Sequence, residues 1–140
     1  VWAINPHRDS MRELISRMRE HAEEIFVEKG VRVLFDAPAA DEQIKLSMDT
    51  RRDLYLIFKE AIANAAKHSA CRRIEINLDI RDGRIFLQIG DDGRGFDMAR
   101  RRDGNGLENM RRRAESNGGK LEVESKLGGG TRIELELPQG

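Results

Sequence analysis

The sequence predicts a two-layer α/β sandwich, with a mixed, mostly antiparallel sheet and about three helices on one face. Three observations carry that expectation. Segments whose apolar residues recur every three or four positions alternate with segments whose apolar residues recur every second position. The second kind comes in pairs joined by glycine turns, the mark of antiparallel hairpins. A chain of 140 residues accommodates one such core and a short appendage, but not two comfortable domains.

The elements follow in order. Val1-Trp2-Ala3-Ile4-Asn5-Pro6 is apolar and halts at Pro6, whose ring and missing N–H disfavour a continuing helix. Residues 1–8 therefore read as the remnant of another element, and 9–140 as the domain. Ser10 and Glu13 make a capping box, followed by Met11, Leu14, Ile15, Met18, Ala22, Ile25 and Phe26 at helical spacing. The first helix is expected over about residues 10–28, closed by Gly30. Residues 31–35 read as a strand and 36–41, with Pro38, as a loop; a short second strand is expected around 44–46. Asp49 or Thr50 is expected to cap a second helix that runs to about His68 and buries Leu54, Ile57, Phe58, Ala61, Ile62 and Ala65.

From Arg72 the period becomes two: Ile74, Ile76, Leu78 and Ile80 share a face, as do Ile85, Leu87 and Ile89 after Asp82-Gly83. Asp-Gly between alternating strands signals a hairpin, because both turn positions need positive φ. Residues 91–106 mix glycine, aspartate and arginine with little apolar material and read as a loop. A third helix over about 106–117 carries Leu107, Met110 and Ala114 and ends at Gly118-Gly119. Two last strands, 120–126 and 131–137, are joined by Leu127-Gly128-Gly129-Gly130.

Composition narrows the function. Lys and Arg total 25, as do Asp and Glu, so no net field favours nucleic acid or a membrane surface. No apolar run approaches the ~18 residues that span a bilayer. Cys71, the single cysteine, excludes an internal disulfide and a cysteine-based zinc site. With no charged leader and apolar segment at the start, a cytoplasmic, reducing setting is expected. The opening at Val1 is expected to be an internal point of a longer protein, with room upstream for a membrane anchor.

Four segments carry chemistry. On the second helix Glu60, Asn64 and Lys67 fall in one narrow stripe beside the apolar face, with His68 next to it. Asn is a mediocre helix former, and an amide oxygen suits a hard cation such as Mg²⁺ without repelling a polyphosphate. Lys67 can neutralise phosphate. Taken alone, the stripe fits the solvated edge of an amphipathic helix better than it fits a site. Asp91-Asp92-Gly93-Arg94-Gly95-Phe96 follows a strand; Asp91 is an acceptor suited to the exocyclic amine of a purine, and Gly93 and Gly95 allow close approach of a planar ligand. Alone, it is also an ordinary glycine-rich loop. Gly104-Asn105-Gly106-Leu107 leads into the third helix, offering free N–H groups to an anion or simply a flexible lead-in. Gly128-Gly129-Gly130-Thr131 reads as a loose turn in which Thr131 can add a hydroxyl to a base. No Walker-type or dinucleotide-binding glycine pattern is present.

In this order the four segments resemble the motif set of the GHKL ATPase superfamily, which unites histidine kinases, gyrase, MutL and heat-shock chaperone ATPases. Residues 59–68 resemble its N box, Asp91 to Gly95 its first glycine box, Gly104 to Leu107 its second, and Gly130-Thr131 its final Gly-Thr pair. The resemblance covers about residues 31–138. Ala-x-Lys-His-Ser, the short stretch from Phe96 to Asp103, and Gly106-Leu107-x-Asn-Met-x-x-Arg make it most similar to the sensor histidine kinases paired with helix-turn-helix response regulators.

The resemblance implies a Bergerat-type sandwich and a domain that uses ATP and Mg²⁺ to phosphorylate a histidine. It implies Asn64 as the metal ligand with Glu60 beside it on metal or water, and Lys67 and His68 toward phosphate; Glu60, Asn64 and Lys67 are the catalytic set. Asp91 would take adenine, Gly93 and Gly95 would shape that pocket, and Gly104 and Gly106, followed by Leu107, would hinge an ATP lid. The implied partners are an upstream dimerisation domain whose junction is residues 1–8, a response-regulator receiver domain, and a second copy of the parent protein. No nucleic acid and no direct membrane contact are expected. His7, His21 and His68 do not fit the acceptor histidine, so this stretch should bind ATP without autophosphorylating alone. The alternatives are an ATP-hydrolysing conformational module of the same superfamily, with Glu60 activating water, and a degenerate nucleotide-binding signalling domain.

Overall fold

The computed structural model of the chain describes residues 11–37, 46–97 and 105–140. Among them are three α-helices and five strands, in the order α1 (Met11–Val27), β1 (Arg32–Asp36), α2 (Met48–Asn64), a π-helical turn (Ala65–Ser69), β2 (Arg73–Arg81), β3 (Arg84–Asp91), α3 (Asn105–Ser116), β4 (Lys120–Ser125) and β5 (Thr131–Pro138). The strands form one sheet ordered β1-β2-β3-β5-β4. β1 runs parallel to β2, with α2 as the crossover, and every other pairing is antiparallel. The expected open α/β sandwich with a mixed sheet is therefore what forms.

The core follows from the periodicities. Ile74, Ile76 and Leu78 on β2, Ile85, Leu87 and Ile89 on β3, and Ile133, Leu135 and Leu137 on β5 are buried on one face. The helical stripes cover that face: α1 buries Leu14, Met18 and Phe26, α2 buries Leu54, Ile57 and Phe58, and α3 buries Leu107, Met110 and Ala114. The alternate residues, among them Arg73, Asp79, Arg132 and Glu134, are exposed on the other face. A slip of one residue in any strand would exchange these two sets, so the alternation holds the register. The β2–β3 register closes at Arg81↔Arg84, with Asp82 (φ 53°) and Gly83 (φ 74°) in the turn that Asp-Gly predicts.

Helix ends are set by local bonding. α1 closes with Gly30 N–H donating to Val27 O and Val31 N–H to Phe26 O; α3 closes the same way, with Gly118 N–H to Glu115 O and Gly119 N–H to Ala114 O. These paired bonds satisfy carbonyls that the helix leaves open. At α2 the expectation needs correction. The cap is Ser47, not Asp49 or Thr50: its Oγ accepts the Thr50 N–H at 3.1 Å, and Met48 already lies in the helix. Ser47 lies two positions before Asp49 and three before Thr50, the caps expected from the sequence, so side-chain geometry decides the start. The α-helical part stops at Asn64 rather than His68, and the chain widens into the π-turn before Ala70 turns left-handed at φ 51°. Leu46 belongs to no strand; residues 44 and 45, like Ser10 and residues 1–8, lie outside the described residues.

Candidate functional site

α2 and α3 run antiparallel, so the C-terminal end of α2 meets the N-terminal turn of α3. Asn64 therefore lies against Gly106: a Cβ at position 106 would come 3.2 Å from Asn64 Nδ2 and 3.7 Å from its Oδ1. The second glycine box thus abuts the N box at a point where any side chain would crowd the amide. One turn back, Glu60 lines a cleft of about 290 Å³ between the two helices, with Leu56, Lys59, Ala63, Asn109, Met110 and Arg113. Lys67 and His68 are exposed on the π-turn. Among the described residues, the side chains of Glu60, Asn64 and Lys67 engage in no hydrogen bond or ion pair, although Glu60 and Asn64 are partly buried. Glu60 and Asn64 keep the stripe expected from the sequence, but the widening at the π-turn takes Lys67 out of α-helical register with them, so the narrow three-residue stripe is not formed.

Asp91 ends β3 on the helix side of the sheet. Its Oδ1 accepts the Gly93 N–H at 2.9 Å, and the backbone of Thr131, its register partner on β5, also bonds to it. Burial raises its pKa above the ordinary value of 3.8, against the lowering effect of those N–H groups. Asp92 behaves oppositely. It is exposed, its Oδ1 accepts the Arg72 and Arg73 N–H groups at 2.8 and 3.0 Å, and those bonds, Arg73's first, lower its pKa.

The loop after β3 is built into the β4–β5 hairpin. Arg94 O accepts the Gly128 N–H at 2.7 Å, and Phe96 N–H donates to Ser125 Oγ at 2.9 Å. Ser125 in turn donates to Gly130 O at 3.0 Å and shares a 2.9 Å hydrogen bond with the Thr131 hydroxyl. Gly95 (φ 62°) and Gly130 (φ 74°) make this closeness feasible: a Cβ at 95 would sit 2.1 Å from Lys126 O, and one at 130 would sit 2.1 Å from Asp91 O. At Gly95 the space a planar ligand was expected to use is filled by the protein's own backbone. On the other side, Arg94 Nε donates to His68 O at 2.6 Å. The first glycine box is thereby joined to the end of the N box.

A second cleft, about 540 Å³, opens at this end of the sheet mainly on the face turned away from the helices, lined by Arg73, Glu75, Gly90, Glu124 and Arg132 with Asp91, Lys126 and Thr131 at its rim. The two clefts share no residue: Glu60 lines the first, Asp91 and Thr131 the second, and Asn64 neither. Arg94 joins the loop after Asp91 to His68, and Gly106 abuts Asn64, but among the described residues Asn64 and Asp91 share neither a cleft nor a bond. Leu107, expected at the nucleotide, has its side chain 4% exposed in the core, because it opens the buried stripe of α3. Gly104 and Arg100 to Arg102 lie outside the described residues. Asp92 and Ser125 are not marked out by the sequence; the partners of Asp92 lie 19 and 20 positions away in the chain and those of Ser125 five to 29, so no local pattern announces them.

Residues 49–140 match the sequence profile of the family described as "Histidine kinase-, DNA gyrase B-, and HSP90-like ATPase". The chain belongs to this ATPase family. Within the family it is homologous to sensor histidine kinases. It is 34% identical over 94 residues to the sensor histidine kinase LiaS of Bacillus subtilis (strain 168), covering 66% of this chain and 26% of LiaS. It is 30% identical over 112 residues to the histidine-protein kinase/phosphatase DegS of the same organism, covering 77% of this chain and 29% of DegS. The sensor protein VraS of Staphylococcus saprophyticus is 35% identical over 98 residues, 69% of this chain and 28% of VraS. The chain thus spans under a third of these relatives and corresponds to the ATPase catalytic domain. The fold agrees: the catalytic domain of histidine kinase ThkA superposes with a TM-score of 0.73 at 18% identity over 93% of this chain and 94% of that one. The blue-light activated histidine kinase of Erythrobacter litoralis EL346 gives 0.74 at 21% identity, over 90% of this chain and 42% of that one. Membership in this family implies ATP binding. No helix among the described residues is long and apolar enough to cross a membrane.

Proposed function

We propose that this domain binds Mg²⁺-ATP between the end of α2, the loop after β3 and the start of α3, and presents its γ-phosphoryl to a histidine on an upstream dimerisation domain of the same parent protein. The observation that carries this reading is the pair of partly buried, unpartnered polar groups at the end of α2, Glu60 and Asn64, with the amide against Gly106. Both groups are accessible enough to be hydrated, since no buried side-chain nitrogen or oxygen among the described residues lacks a partner, so they stand open to a ligand without a large cost to the fold. An amide oxygen and a carboxylate one turn apart form a hard-cation donor set that fits Mg²⁺, which keeps several waters and shares phosphate oxygens. The ion would supply charge neutralisation on the phosphates.

The other roles belong to this chain's own side chains. Asp91, accepting N–H groups on one side, retains acceptor capacity for a purine amine. Lys67 is an exposed cation for phosphate, and the N-terminal N–H groups of α3 next to Gly106 favour anionic oxygen. In-line transfer then depends on placement rather than covalent catalysis by the domain. His21 is a poor acceptor: it is packed edge-on by Tyr55 and Phe58, and burial, then the nearby Lys59 charge, lowers its pKa. The nucleophile in this reading comes from outside the stretch, the parent works as a homodimer in the cytoplasm, and a response-regulator receiver domain takes the phosphoryl group onward.

The test is to incubate the domain with Mg²⁺-ATP and a separately produced dimerisation domain of the parent. Acid-labile phosphohistidine on that domain, lost with Asn64→Ala, is the expected outcome. Steady release of inorganic phosphate without any phosphohistidine would refute the kinase reading.

A further inference from the structure

The connection from α2 to β2 lies between two motifs and is tied at both ends to one loop, the one that follows β3. His68 O, at the open end of the π-turn, accepts from Arg94 Nε at 2.6 Å. The Arg72 and Arg73 N–H groups donate to Asp92 Oδ1 at 2.8 and 3.0 Å, and Asp92 N–H returns a bond to Arg73 O at 3.3 Å. Between these anchors the chain turns at Ala70, a non-glycine residue at φ 51°. A left-handed alanine persists only where its surroundings over-determine it. Asp92 and Arg94 belong to those surroundings, one on each side of the turn, beside the Arg32 N–H that donates to Arg72 O.

We propose that Asp92 and Arg94 are positioning residues, which hold the π-turn bearing Lys67 and His68 at a set distance from the carboxylate of Asp91. The inference rests on the nucleotide-binding reading above and adds two residues to it. Arg94 supplies a charged donor to a carbonyl at a helix C-terminus, where the dipole also favours a cation. Its own carbonyl is fixed by Gly128 N–H, so the bond reaches from an anchored loop to an otherwise exposed turn. Asp92 collects two successive N–H groups, which is how a short loop can fix a strand's first residue. Neither residue needs to touch nucleotide. Freed from them, the phosphate end of the site would move relative to the purine end, while the purine end, built on β3 and β5, would stay.

The experiment is calorimetric titration of adenosine and of Mg²⁺-ATP into the domain carrying Arg94→Ala, Arg94→Lys or Asp92→Ala. Arg94→Ala should weaken Mg²⁺-ATP about tenfold and adenosine by no more than about twofold, as expected for one charge-assisted bond acting on the phosphate end. Arg94→Lys, which keeps a charged donor, should recover most of that loss. Asp92→Ala is the deciding arm. Removing a negative charge near a polyphosphate would by electrostatics alone tighten binding, whereas loss of the clamp should weaken Mg²⁺-ATP about fivefold. Tighter or unchanged binding by Asp92→Ala, or equal losses for both ligands with Arg94→Ala, would overturn the proposal. If Arg94→Ala does not fold, the comparison of Arg94→Lys with Arg94→Gln replaces it, and equal affinities for Mg²⁺-ATP count against the clamp. Failure of the underlying site reading is separately visible: the wild type would then not bind ATP, or Asp91→Ala would bind like wild type.

Discussion

The two ends of α2 carry polar side chains in opposite circumstances. At the N-terminal end Asp53 is 3% exposed and wholly engaged: Arg52 and Arg113 donate to it, at 3.3 and 3.4 Å, and so does the Asn117 amide from beyond the end of α3. At the C-terminal end Glu60 and Asn64 have no such partners among the described residues. Both ends face α3, and both sets interrupt the same amphipathic pattern. A buried, fully bonded polar cluster ties two helices together; accessible, unpartnered polar groups at the other end of the same seam leave capacity for a ligand. Partnering, more than residue type, separates structure from function on this helix.

The sharpest way to test the comparison is to break the satisfied end. Asp53→Ala should destabilise the domain by about 2–3 kcal/mol, because it leaves the Asn117 amide and Arg113 without their buried acceptor. Denaturant unfolding would measure it, and a loss below about 0.5 kcal/mol would mean the cluster is idle. Next in size is Asp91→Asn at the site. Exchanging a charged acceptor for an amide should cost about tenfold or more in ATP affinity by titration, with adenosine affected as much as ATP.

Asn64→Ala sharpens the contrast from the other side. Removing an unpartnered, half-exposed amide from a helix interior should change stability by less than about 0.5 kcal/mol and even favour the helix slightly. The same variant should lose the Mg²⁺ dependence of ATP binding. A stability loss as large as that of Asp53→Ala would show that Asn64 is a structural residue after all.

The smallest expected effect concerns pH, at two adjacent carboxylates. Asp91, whose folded pKa is raised by burial, contributes stability below 3.8 that is lost as pH rises through its folded value. Asp92, whose folded pKa is lowered by the Arg73 and Arg72 N–H groups, contributes stability above 3.8 that is lost as pH falls through its folded value. Asp91→Asn should therefore flatten the decline on the alkaline side of this window, and Asp92→Asn the decline on the acid side. Because Asp92 is exposed, its share is weakened by solvent. Urea unfolding between pH 3 and 6, identical for both variants, would contradict the opposite shifts.

Much of the fold was legible because burial imposes a period. The apolar positions of α1, α2, β2, β3 and α3 named from spacing are buried, with only Ile25 and Ile80 half-exposed near element ends. The hairpin at Asp82-Gly83 and the closures at Gly30 and Gly118 are local chemistry and were equally legible. The start of α2 was not, because Asp49, Thr50 and Ser47 are all competent caps and only side-chain geometry chooses among them. The π-turn left no trace in residue pattern, since Ala, Lys, His and Ser fit an α-helix as well.

The sequence by itself determined the layer architecture, the order of the four motifs and, through that order, membership in the ATPase family. Those depend on periods and spacings that a one-dimensional string records in full. Only the tertiary structure decided which polar residues are satisfied. Asp92 reaches back 20 positions, Arg94 26, and Asn117 meets Asp53 across 64. A hydrogen bond is a short-range, directional contact, and whether two groups distant in the chain come within its reach is settled by packing alone.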